Sequence, residues 1–235
     1  MNFFIRPSKC FLYDLLESEL AGLCGEVGLD AASADFKNRR MFHTRRYYGV
    51  DQDLALLRAG LLKYQDQNTF GLLADMARLE ALPDCSVDAV VSTKTLYQID
   101  REDRMRAIAH LCRICRPDGE LICELRLDGD FDESLKIIRS YFENVKVIYY
   151  RNLVSRFYES VFERDGDLGS HPIAGLRPFR LFSWLLSRLE FLSMRSRGLN
   201  RNAVVIGKNK KGAIGAQKFD LSRLARKEER LYEIV

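Results

Sequence analysis

Over the first 150 residues, short apolar runs alternate with stretches of helical periodicity. Residues 8–22 carry Leu12, Leu15, Leu16 and Leu20 at helical spacing, with Ser8 placed to cap them. Apolar runs follow at 26–32, 46–50, 69–73, 87–92, 120–125 and 145–150, and each reads as a strand. Helices are expected over 53–64, 103–115 and 133–142. Pro83-Asp84 marks one turn and Arg116-Pro117-Asp118-Gly119 another. Runs of this length alternating with helices predict βαβ units, hence an α/β fold with a mostly parallel sheet and helices on both faces.

In such a sheet, ligands bind outside the carboxyl ends of the strands. Asp30, Asp51, Asp75 and Ser92 fall at or near the ends of the first four runs. Two readings of the three acids stand side by side. They form a polar site at the strand ends, or each caps the helix that follows, as Asp often does.

Four segments between about Val27 and Leu127 give the site reading more shape. They are Tyr47-Tyr48-Gly49-Val50-Asp51; Ala74-Asp75-Met76 with Leu79 and Leu82-Pro83; Val87-Asp88-Ala89-Val90-Val91-Ser92 with Leu96 and Ile99; and Leu111 through Leu121, which ends in Arg116-Pro117-Asp118-Gly119. In order and spacing they resemble the class I S-adenosylmethionine-dependent methyltransferases, near their small-molecule branch. The resemblance implies a Rossmann-like, seven-stranded sandwich and S-adenosylmethionine as cofactor. It implies that Asp51, with Gln52 beside it, takes the ribose hydroxyls. Asp75 and Met76 would hold the adenine, and Ser92 would line the methyl-transfer site. The 21-position step from Asp30 to Asp51 is close to the acid spacing of dinucleotide-binding units.

The sequence departs from the family in one place. Where the pattern is Asp-x-Gly-x-Gly, this chain reads Asp30-Ala31-Ala32-Ser33-Ala34. Glycine suits a backbone that approaches a cofactor or takes positive φ. A left-handed alanine costs roughly 1–2 kcal/mol. Asp30, Ala32 and Ala34 are therefore the expected cofactor-loop residues. Two functions stay open: methyl transfer to a small-molecule or glycan-like acceptor, or a degenerate domain with a binding, scaffolding or regulatory role. No catalytic base is evident; Lys94, Tyr97 and His171 are candidates for the acceptor side.

Composition adds limits. The chain has 235 residues, 47% hydrophobic and 30% charged, with a formal net charge of +4. It contains no long uncharged apolar run and no long apolar leader, so a cytoplasmic protein is expected. Lys208 to Val235 holds eight basic residues against four acidic ones and reads as a solvated tail. Lys37 to Arg46 holds five cations, which read either as a solvated face or as a phosphate or acidic-acceptor site. Neither cluster makes a strong case for nucleic acid. Cys112 and Cys115 form a CxxC pair on an apolar helical face and read as core thiols, so no metal is expected.

These features divide the chain into a core over 1–150, a helical insertion over 151–200, a final strand over 201–211 and the tail over 212–235. Within the insertion, Leu181, Phe182, Leu185, Leu186, Leu189 and Leu192 share one helical face. Arg180, Ser183, Ser187 and Glu190 lie opposite. The apolar face is expected to pack as core, to form a homodimer contact or acceptor lid, or to lie on a membrane surface.

Overall fold

The computed structural model describes residues 4–164, 169–212, 215–222 and 224–234. The strands are β1 (Val27–Ala31), β2 (Arg46–Asp51), β3 (Thr69–Leu73), β4 (Val87–Ser92), β5 (Cys115–Arg126), β6 (Phe142–Tyr150), β7 (Glu163–Arg164), β8 (Gly169–Ser170), β9 (Asn202–Lys210), β10 (Ala225–Glu228) and β11 (Leu231–Glu233). The helices are α1 (Pro7–Leu20), α2 (Leu54–Lys63), α3 (Arg101–Ile114), α4 (Phe131–Tyr141), α5 (Leu153–Phe162), α6 (Arg177–Ser187) and α7 (Glu190–Ser193).

Among the described residues the main sheet has nine strands, ordered β10-β11-β3-β2-β1-β4-β5-β9-β6. Strands β1 to β5 pair in parallel, β1 lying between β2 and β4. The expected seven strands are β1 to β6 and β9. The two additional strands come from the segment read as a basic tail. β11 pairs in parallel with β3, setting Leu231 opposite Gly71. The Arg230 guanidinium fastens this edge by donating to the carbonyls of Leu61, Tyr64 and Asp66. Arg58 of α2 binds Glu228 of β10. Short, charged edge strands lack the continuous apolar run that marks an inner parallel strand.

The chain divides into two compact units. The larger contains residues 20–146 and 205–235. Its core is the sheet interior, with Leu29, Val50, Leu72, Val90 and Ile122 fully buried. Phe36 is buried in a slot left by two glycines, Gly49 of β2 and Gly60 of α2. Cys112 and Cys115 are buried where α3 meets β5, and burial pushes the Cys115 thiol up to about 12. β5 starts at Cys115, so the expected turn residues belong to the strand. A Cβ at Gly119 would lie 2.7 Å from the Asp88 carbonyl oxygen, and glycine permits that approach.

The smaller unit contains residues 1–19 and 147–204, so α1 groups with the segment read as an insertion. Of the fates open to the apolar stripe of helix α6, packing as core is not the one observed in this unit. Ser183, Ser187 and the following Glu190 are fully buried, whereas Leu181, Phe182, Leu185, Leu189 and Leu192 are exposed. The inward face packs on α1. Ser183 Oγ lies 3.9 Å from Cys10 Sγ, Trp184 Nε1 donates to Asp14 Oδ2 at 3.1 Å, and Arg188 pairs with the same carboxylate. Small serines let the helices approach closely, and the Asp14 pairings satisfy the polar groups this brings inward.

No helix among the described residues is long and apolar enough to cross a membrane.

Candidate functional site

At the carboxyl ends of β1 to β4 the larger unit opens into a cleft of about 550 Å³. Its wall includes Ala32, Ala34 and Lys37 after β1, Asp51 and Gln52 at the end of β2, Asp75 and Met76 after β3, and Lys94, Thr95 and Gln98 after β4. Asp100 and Asp103, at the start of α3, complete it. The volume lies within the range of small-molecule and cofactor sites.

The loop after β1 takes the conformation that glycine favours, without glycine. Ala32 has φ 58° and Ala34 φ 50°, both left-handed. Together the two alanines cost roughly 2–4 kcal/mol relative to unstrained backbone. Several bonds hold the loop in place. Ser33 N–H donates to the Val50 carbonyl at 3.0 Å, and Ala34 N–H donates to Asp51 Oδ2 at 2.8 Å. Strain of this kind gathers at functional sites, where surrounding contacts over-determine it.

Asp51 is a fixed acceptor. Oδ2 receives the Ala34 amide, and Oδ1 receives the Asp53 amide at 3.0 Å. A carboxylate offers about four lone-pair positions, so each oxygen keeps one for a further donor. Asp53, not Asp51, caps α2, accepting from the amides of Ala55 and Leu56. Asp75 Oδ1 accepts from Ala77 N–H at 2.8 Å and orders the turn after β3. The site and capping readings therefore both describe Asp75, which holds its own loop while lining the cleft.

Two expected site residues do not reach the cleft. Asp30 is fully buried beneath the loop, accepting from Tyr47 Oη at 2.8 Å and Asn38 Nδ2 at 3.0 Å. Burial pushes its carboxyl up to about 6, against the opposing pull of Lys37 and the two hydrogen bonds. Ser92 is also fully buried, and its Oγ has no hydrogen-bond partner among the described residues. Both stand at strand ends, but their side chains enter the sheet's packing rather than the cleft.

Other residues supply the wall after β4. Lys94 is left-handed at φ 62°; its N–H donates to Glu124 Oε2 at 2.8 Å, and its carbonyl accepts from Gln98 Nε2 at 2.7 Å. The reading of the sequence includes Lys94 but misses Thr95, Gln98, Asp100 and Asp103. Their only sequence signal is their place between a strand and the next helix. Tyr97 is absent from the wall, and His171, in the smaller unit, caps a short turn by accepting from Ile173 N–H. The cation cluster disperses: Lys37 lines the cleft, Arg39 binds Thr69 Oγ1 at 2.7 Å, and Arg45 and Arg46 face Glu26.

The cleft is polar and net acidic. Four carboxylates (Asp51, Asp75, Asp100 and Asp103) face two ammonium groups (Lys37 and Lys94). That balance favours a ligand carrying positive charge.

Residues 24–123 match the family model described as "Methyltransferase domain". The matched span contains β1 to β4, the strained loop and most of β5, which is the frame of the cleft. Over this span the chain is similar to the methyltransferase-domain family. Solved structures repeat its fold. One is the putative methyltransferase crystallised with the Haloferax volcanii Trm112 activator: 14% identity, 85% of this chain and 89% of that one, TM-score 0.54. Another is the N-methyltransferase NodS of Bradyrhizobium japonicum with S-adenosyl-L-homocysteine: 13% identity, 64% of this chain and 83% of that one, TM-score 0.55. A third is phosphoethanolamine N-methyltransferase 2 of Haemonchus contortus with S-adenosyl-L-methionine: 16% identity, 88% of this chain but 54% of that one, TM-score 0.52. Identities this low establish the fold alone. No curated protein sequence matches the chain significantly.

Proposed function

We propose that the chain binds S-adenosylmethionine in the β1–β4 cleft and transfers its methyl group to a small-molecule or glycan-like acceptor. The observation that carries this reading is the Asp51 carboxylate, anchored on two amides beside the left-handed Ala32–Ala34 loop and open to the cleft. When bound, S-adenosylmethionine supplies a methyl group activated on a sulfonium.

The chain's own residues then bind and orient. Asp51 accepts the ribose hydroxyls through its remaining lone pairs, each bond to the charged group being worth about 1.5–3 kcal/mol. Asp75 and Met76 flank the adenine, giving a polar edge and a polarizable apolar contact. Lys37 and Lys94 offer cations to the methionine carboxylate, while the four carboxylates favour a ligand carrying positive charge. Gln52 borders the ribose position, and Gln98 fixes the Lys94 loop. Displacement at a methyl group depends on alignment, and holding two reactants in register supplies much of its rate.

The degenerate alternative rested on the alanines at 32 and 34. The loop takes its left-handed form with alanine in place, and the cleft beside it stays open. Replacement of glycine therefore does not by itself imply a closed pocket. The test is thermal unfolding of the full chain against increasing S-adenosylhomocysteine. A ligand bound only by the folded state at one hundred times its Kd adds about 2.7 kcal/mol. A concentration-dependent rise in Tm supports the reading, and a flat Tm at millimolar ligand contradicts it.

A further inference from the structure

The residues of the smaller unit's outward apolar face are not among those lining the β1–β4 cleft. Phe157 is 72% exposed and Leu192 85%, and Leu153, Leu181, Phe182 and Leu185 are also exposed. α5 and α6 bear these side chains except Leu192, which is in α7, and α5 and α6 pack together through Tyr158–Phe182 and Phe162–Phe179 ring contacts. Single exposed leucines are ordinary, but a cluster of this kind marks an interaction surface.

Charge indicates what covers it. The carboxylates at 159, 163 and 190 are all engaged: Glu159 binds Ser8 and Arg151, Glu163 pairs with Arg6, and buried Glu190 receives Asn152 N–H at 3.1 Å and the Ser155 hydroxyl. Other arginines stay at the surface. Arg177 and Arg180 are exposed at the start of α6. Arg151, Arg156 and Arg201 line an open cavity of about 630 Å³ with Leu153, Phe157 and Ser160; Glu159 and Glu163 form its acidic part. Among the described residues no carboxylate pairs with Arg156 or Arg201. Guanidinium groups beside exposed Leu and Phe match a ligand that presents phosphate next to hydrocarbon. A second copy of the chain fits less well, because an isologous contact would bring the same arginine-rich face against itself.

We propose that α5 and α6 dock this protein on an anionic lipid bilayer. Phe157, Leu153 and the α6 leucines enter the headgroup boundary, and Arg156 and Arg201 take lipid phosphates in the cavity beside them.

The test is co-sedimentation of the full chain with two vesicle preparations: phosphatidylcholine alone, and equal parts phosphatidylcholine and phosphatidylglycerol. Binding is expected on the anionic vesicles and should weaken as salt is raised. Each basic residue near such a surface is worth about 1 kcal/mol, so Arg156→Glu with Arg201→Glu should weaken partitioning by about tenfold or more. Phe157→Ser should weaken it independently. Both variants alter surface side chains, and an unchanged Tm confirms their folding. Absence of binding to anionic vesicles overturns the proposal, as does binding that these variants leave intact. A dimer in solution that Phe157→Ser converts to monomer, without vesicle binding, assigns the face to a second copy and also overturns it. None of these readouts uses the methyl donor, so failure here leaves the cofactor assignment standing.

Discussion

The Ala34 amide donates to Asp51 Oδ2 at 2.8 Å, tying the loop after β1 to the end of β2. One bond thus joins a strained backbone to the carboxylate that faces the cleft. The backbone needs the left-handed conformation to aim this N–H, and alanine meets that need at a cost in stability. Ala32→Gly and Ala34→Gly should each relieve roughly 1–2 kcal/mol of strain, less about 0.4–1 kcal/mol for the freer unfolded chain. Each variant should therefore raise Tm by about 1–3 °C. S-adenosylhomocysteine affinity should stay close to that of the wild type, because the conformation is already in place. A large gain in affinity would show that the alanines had closed the site.

Gly49 and Gly60 predict the opposite sign. Glycine to alanine in a helix interior ordinarily gains about 1 kcal/mol. At Gly60, however, a Cβ would stand 2.6 Å from the Phe36 ring, and at Gly49 it would clash with the same ring. Phe36 is fully buried, so it has little room to yield. Gly60→Ala should destabilise by about 1–3 kcal/mol, as overpacking does. Chemical denaturation measures this, and Phe36→Leu in the same chain should recover part of the loss.

Asp30 gives a pH signature. Its carboxyl titrates near 6 in the folded chain against an ordinary value of 3.8. The folded state therefore holds a proton that the unfolded chain releases earlier. Its contribution to stability is fully present below about pH 4, declines as pH rises to 6 and is gone above that. The span corresponds to roughly 3 kcal/mol. Asp30→Asn keeps the partners Tyr47 and Asn38 without the titration. The difference in unfolding free energy between wild type and variant should shift in the variant's favour between pH 4 and 6. A pH-independent difference would mean that Asp30 is not buried as described.

Much of this was legible in the sequence, for physical reasons. β3 and β4 begin and end where their apolar runs do, because parallel strands buried on both faces leave continuous hydrophobic stretches. Asp51, Asp75, Ala32 and Ala34 reach the cleft because strand-end residues border it by topology. Strand-end position alone does not tell which way a side chain turns, and so Asp30 and Ser92, expected at the cleft, are buried. The sides of α6 were drawn correctly, but not which side faces in. A stripe of leucines defines a face; Ser183, Ser187 and Asp14 decided the packing by allowing close approach and pairing with Arg188 and Trp184. β10 and β11 carry too much charge to read as strands, and the Arg230 bonds that fix them are long-range.

The central claim is a working methyl-donor site built on Asp51. Calorimetric titration of the full chain with S-adenosylmethionine tests it most directly, run beside Asp51→Ala. The account predicts saturable binding of one ligand per chain, weakened about 100-fold or more in the variant, as expected for loss of two charge-assisted hydrogen bonds. Absence of binding from a folded chain, or equal binding by Asp51→Ala, would contradict it.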